Sequence, residues 1–112
     1  MTLRETIDEL VDAWRAGDAL RACAFFAPDG AYCEAGGQAI AGRDALLAHF
    51  QRFFRDGPPW RFEIDDVVID GERGAVFYRF SVKGATGWRE SAGCALVRRE
   101  GGLVSLWREY SA

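Results

Sequence analysis

The sequence predicts a single α+β domain in which three N-terminal helices pack on a curved, mainly antiparallel sheet. Three observations carry this expectation. The 112 residues suffice for one core and are too few for two. Apolar residues recur at helical spacing in the first half, and the period changes to two from Trp60 onward. Helices followed by a run of strands, with no repeat or linker between them, is the order found in α+β folds. One domain over residues 1–112 is therefore expected.

The elements follow in order. Thr2 and Glu5 form a T-x-x-E capping box before an apolar stripe of Leu3, Ile7, Leu10, Val11 and Trp14. Gly17 ends that helix, and Asp18 caps a short second one carrying Leu20, Cys23 and Phe26. Pro28-Asp29-Gly30 reads as a turn, and Ala31 to Ala35 as a short strand. A third helix opens near Gly42-Arg43-Asp44, shows Leu46, Leu47, Phe50, Phe53 and Phe54 on one face, and stops at Gly57-Pro58-Pro59. Strands are expected near 60–70, 74–83, 88–99 and 103–111, with turns at Asp70-Gly71, Gly84 and Gly101-Gly102.

Composition removes several classes of function. Fourteen Lys+Arg against seventeen Asp+Glu give a net charge of −3. No basic patch is available for nucleic acid or an anionic membrane surface, so neither is expected as a partner. Cysteines 23, 33 and 94 form no C-x-x-C pair, and His49 is the sole histidine, expected on the surface of its helix. A zinc cage and a Ser-His-Asp triad are both out of reach, and no glycine-rich phosphate loop is present. Neither a metal nor a cofactor is expected. The polar, amphipathic N-terminus and the lack of a long apolar run lead to an expected cytoplasmic location. Chemistry is left to carboxylates, arginine, tyrosine and water.

Strand parity separates two kinds of face. Val76, Tyr78, Phe80 and Val82 alternate with Phe77, Arg79, Ser81 and Lys83; Val104, Leu106, Arg108 and Tyr110 alternate with Ser105, Trp107, Glu109 and Ser111. Tyr32 and Glu34 alternate with Ala31, Cys33 and Ala35. The mixed faces set large aromatics beside lone polar groups, as a small-molecule cavity does. Parity leaves a second arrangement open, in which these faces meet solvent and Arg79 and Glu109 form a surface pair.

Four segments in order, namely the Gly17-Asp18 break, F-F-A-P-D-G-A-Y-C-E at 25–34, I-A-G-R-D-A-L at 40–46 and G-G-L-V-S-L-W-R-E-Y at 101–110, resemble the nuclear transport factor 2-like superfamily. Within it the chain looks like a SnoaL-like domain, related to ketosteroid isomerases and limonene epoxide hydrolases. The resemblance implies a cone-shaped fold whose helices close over the concave sheet and enclose a pocket. It places Tyr32, Glu34, Arg79, Cys94, Trp107 and Glu109 on the concave side. The base and oxyanion donors of ketosteroid isomerases fall on Ala35, Leu10 and Cys94, so that activity is not expected. The epoxide hydrolase pattern is similar at Trp107-Arg108-Glu109-Tyr110, Tyr32-Cys33-Glu34 and Arg79-Phe80-Ser81. Ser81 stands where that family has an aspartate, so the second carboxyl group would come from Glu34 at the neighbouring position or from Glu90 at the pocket mouth.

Two functions follow as expectations. The first is cofactor-free acid/base chemistry on a small apolar or oxygenated molecule, epoxide hydrolase-, cyclase- or isomerase-like. Its catalytic candidates are Glu109, Arg79, Glu34 and Tyr32, with Trp14, Ser81, Glu90, Cys94 and Trp107 as ligand contacts. The second is a non-catalytic module that binds a small ligand or dimerises. A homodimer is expected through an outer sheet face bearing Val76, Tyr78, Phe80, Val104, Leu106 and Tyr110.

Overall fold

The computed structural model describes residues 1–111. Helix α1 (Leu3–Arg15) opens with the capping box in both directions: the Thr2 hydroxyl accepts from the Glu5 N–H at 3.1 Å, and the Glu5 carboxylate accepts from the Thr2 N–H at 2.9 Å. Its stripe of Leu3, Ile7, Leu10, Val11 and Trp14 is buried. Gly17 turns the chain at φ 67°, and the Asp18 carboxylate caps α2 (Ala19–Ala24) by accepting from the Arg21 N–H at 3.0 Å. Helix α3 (Arg43–Asp56) buries Leu46 and Phe50.

Six strands form one curved sheet: β1 (Phe26–Cys33), β2 (Ile40–Ala41), β3 (Trp60–Asp70), β4 (Arg73–Gly84), β5 (Gly87–Glu100) and β6 (Leu103–Ser111). Their order is β2-β1-β6-β5-β4-β3. Strands β3 to β6 form the expected antiparallel meander, and β1 joins its far edge parallel to β6. The core lies between this sheet and the helices, centred on Ile7, Leu10, Phe26, Leu46, Val76, Val97, Val104 and Trp107.

Several expectations need correction. Strand β1 starts at Phe26 rather than Ala31, so Pro28-Asp29-Gly30 lies inside it. Its register against β6 shifts between Phe26 and Ala31, so the irregularity read as a turn bends a strand instead. Gly30 is required there because a Cβ would approach the Val104 carbonyl to 2.7 Å. Arg99, one residue before the end of β5 and therefore a position where a solvated side chain is the ordinary outcome, is 8% exposed. It donates to Thr6 Oγ1 at 2.9 Å, to the Met1 carbonyl at 2.7 Å and to both Glu72 carboxylate oxygens, tying the start of α1 to the sheet.

The faces of β4 are the reverse of those implied by the resemblance. Cross-strand partners share a face, and the ladders pair Val76 with Ala95 and Ala95 with Glu109. Tyr78 pairs with Gly93, and Gly93 with Ser111. Val76, Tyr78 and Phe80 therefore point toward the helices with Glu109, and Phe77, Arg79 and Ser81 point away. Val104 also turns inward and is fully buried, because the β5–β6 register shifts between Arg98 and Arg99. Of the stripe expected on the outer face, Leu106 and Tyr110 remain there.

Candidate functional site

A cavity of about 230 Å³ lies between α1, α3 and the inner face of the sheet. This is below the usual range of roughly 300–1,000 Å³ for ligand pockets and fits a small molecule. Trp14 from α1 and Phe50, Phe53 and Phe54 from α3 form the helical wall, and Trp60, Phe62, Tyr78 and Phe80 form the wall from β3 and β4. Tyr32 and Glu34 enter from β1 and its end, and Glu109 and Ser111 from β6. The helical spacing of α3 and the period of two in the strands bring these rings together from distant parts of the chain.

Glu109 is the ionisable group set among the rings. The Trp107 indole N–H donates to Glu109 Oε2 at 3.0 Å, and Trp107 itself is fully buried behind it. Trp107 packs edge-on to Trp14 with ring centroids 4.8 Å apart. Burial pushes the Glu109 carboxyl up to about 7; the indole hydrogen bond pulls it down, and the nearby charge of Glu34 adds to the rise. Tyr32 and Tyr78 are raised by burial first and by the charges of Glu109 and Glu34 second, so both phenols stay protonated at neutral pH. A carboxyl poised near neutrality beside two hydroxyl donors is equipped to accept or return a proton.

Glu34 is half exposed, and its Oε1 lies 2.8 Å from His49 Nε2, so the two side chains sit together on the cavity wall. The His49 ring packs at a tilt against Tyr32 with centroids 5.5 Å apart and its side chain is 22% exposed, which corrects its expected surface position. The signal was present in its i+3 spacing from Leu46 and its place beside Phe50. Tyr78, Phe80, Phe54 and Trp60 were also missed as cavity residues, the first two because β4 parity was read with the wrong face inward.

The candidates from sequence divide cleanly. Glu109, Glu34, Tyr32 and Trp14 line the cavity, and Trp107 supports Glu109 from behind. Arg79 does not join them. Its guanidinium lies on the outer face, donating to Asp65 at 2.9 Å and facing Glu90 at 3.6 Å, and its side chain is 44% exposed. Ser81, Glu90 and Cys94 share that outer face: Ser81 pairs with Glu90 and Cys94 with Phe77. The Arg79-bridged pair of carboxylates implied by the epoxide hydrolase pattern is thus not assembled. Among the described residues no cluster of metal-ligating side chains occurs.

A six-stranded sheet covered on one face by three helices is the arrangement of the nuclear transport factor 2-like class of α+β folds. The SnoaL-like domain model matches residues 7–107, and the chain belongs to that family. No curated protein matches. Solved structures match over nearly the whole chain at low identity. A protein of ketosteroid isomerase-like fold from Catenulispora acidiphila, in complex with trimethylamine, is 21% identical with a TM-score of 0.84, covering 98% of this chain and 86% of that one. A SnoaL-like polyketide cyclase from Jannaschia sp. is 16% identical at 0.82, with coverages of 97% and 84%. An LEH-like epoxide hydrolase from M. tuberculosis is 17% identical at 0.82, with coverages of 96% and 80%. At these identities the likeness is one of fold.

Proposed function

We propose that this SnoaL-like chain admits a small, largely apolar molecule into a cone-shaped space between helices and sheet and moves a proton on it with Glu109. The observation that carries this reading is the position of Glu109, a carboxyl pushed up to about 7 inside an aromatic cavity. In the proton-transfer step the ionised carboxylate takes a proton from a carbon beside a carbonyl group. The charge that collects on the carbonyl oxygen is stabilised by a hydrogen bond from the Tyr32 or Tyr78 hydroxyl. Glu109 then returns the proton to another carbon, giving isomerisation; in a substrate with a second carbonyl, the enolate carbon instead attacks that carbonyl carbon, forming the ring bond, and Glu109 returns the proton to the oxygen of the opened C=O. Epoxide hydration is less well supported, because it needs a charged and a protonated carboxyl held around one arginine, and Arg79 lies outside. The neighbour in complex with trimethylamine supports occupancy by a small molecule.

The test is exchange of α-protons of a small cyclic ketone into deuterated water, followed by NMR. The wild-type chain is expected to accelerate exchange, and Glu109→Gln to lose about 10²-fold or more of that acceleration. Equal rates for the two proteins would remove Glu109 from the chemistry.

The outer sheet face carries a separate proposal. Phe77 and Tyr110 are 42% and 49% exposed and flank Cys94 across the β4–β5–β6 ladder, and Val68 lies on the same side at 57%. We propose that a second copy covers this face, giving a homodimer. Sedimentation should show a dimer that Phe77→Glu dissociates; a wild-type monomer at micromolar concentration contradicts it.

A further inference from the structure

We infer that the cavity selects a small organic cation, an alkylammonium group, over neutral and anionic molecules of the same shape. This rests on the proposed function for the cavity being a ligand site and names the class of ligand it takes.

The first observation is the charge of the wall. Glu34 and Glu109 line it, and among the described residues neither lysine nor arginine does. His49 is its one basic side chain, and Nε2 of that ring is engaged with Glu34 at 2.8 Å. Two guanidinium groups of the surrounding elements are engaged elsewhere: Arg15 donates to the Phe62 carbonyl at 2.7 Å and 3.0 Å, and Arg79 donates to Asp65 on the outer face. An anion entering this space meets carboxylates with no counter-charge left to receive it.

The second observation is the spacing of the rings. Tyr32, Phe50, Phe54, Trp60 and Phe80 run along the wall with successive centroids 5.3, 6.2, 6.1 and 6.2 Å apart. A cation gains from an aromatic face within about 6 Å of the centroid, and rings at this spacing surround the space that a bound cation would occupy. The same desolvation that makes Glu109 reluctant to ionise makes an ammonium beside it an effective partner. Alkyl groups on the nitrogen suit the apolar surface, and the small volume favours a compact head such as trimethylammonium. Bound there, the cation also holds Glu109 in its ionised form, the form that accepts a proton.

The experiment compares three probes of nearly the same shape by titration calorimetry at pH 7.5: choline, its uncharged carbon isostere 3,3-dimethyl-1-butanol, and trimethylacetate. Choline is expected to bind about 10-fold or more tightly than the alcohol, and trimethylacetate more weakly than either. Trp60→Leu, which replaces a wall ring by a smaller aliphatic chain, should weaken choline several-fold more than it weakens the alcohol. Glu109→Gln should do the same. Near pH 7 choline binding should also release protons, seen as a dependence of the heat on the buffer. Equal affinity for choline and the alcohol overturns the charge selection alone, leaving the ligand cavity intact. Binding of none of the three overturns both this inference and the reading of the cavity as a ligand site.

Discussion

Glu109 and Arg79 show how one residue's chemistry depends on which face of a strand it occupies. Both were paired in the reading of the sequence, and the structure separates them across the thickness of the sheet. Glu109 is withdrawn from solvent among aromatic rings, and that burial raises its proton affinity against the pull of the single indole donor. Arg79 sits in water between Asp65 and Glu90. Arg79→Ala should therefore cost at most about 1 kcal/mol in denaturant unfolding and leave ligand affinity and proton exchange unchanged. A large loss of activity in that variant would return Arg79 to the site. For Glu109 acting as a base in the free protein, kcat/KM should rise with pH and reach half its plateau near pH 7, because the carboxylate is the active form. A profile flat from pH 5 to 8 contradicts that role.

At the scale of elements, the helices and the four meander strands were legible because their apolar period, caps and turn residues all agree. The faces of the strands were not, because parity assigns residues to two sets without saying which set points inward. The apolar set faces the core in β4 and the mixed set does so in β6, so a single rule applied to both misplaces one. Cross-strand register resolves it, and register is set by pairings that no single strand contains. Gly93 is the local key. A Cβ there would meet the Tyr78 ring at 2.5 Å, so the glycine makes room for the tyrosine on the cavity wall. Gly93→Ala should push Tyr78 toward the cavity, costing about 1–3 kcal/mol of stability and reducing ligand affinity. Unchanged unfolding and binding in that variant would show that the ring has space to spare. Tyr32 and Glu109 were legible as cavity-lining residues because polar groups beside large rings are unusual on a strand face, and Glu34 as their neighbour just past the end of β1. His49 was not, because it lies at the edge of the stripe on α3.

For the whole molecule, the cavity is the place where stability and function oppose each other. The folded chain holds Glu109 near 7, above its ordinary value of 4.5, so the native state binds this proton more tightly than the unfolded one. That contribution is fully present below pH 4.5 and is lost as pH rises through 7. Between those values wild type should lose on the order of 2 kcal/mol relative to Glu109→Gln, whose amide does not titrate. Urea unfolding of both proteins across this pH range checks the sign and size of the difference. The proposed chemistry depends on Glu109 being a desolvated carboxyl within the aromatic cavity. Its titration, followed by NMR of carboxyl-labelled glutamate and assigned by the signal missing from Glu109→Gln, tests this most directly. A midpoint near 7 that falls when choline binds is the predicted result; a midpoint near the ordinary 4.5, unmoved by choline, contradicts it.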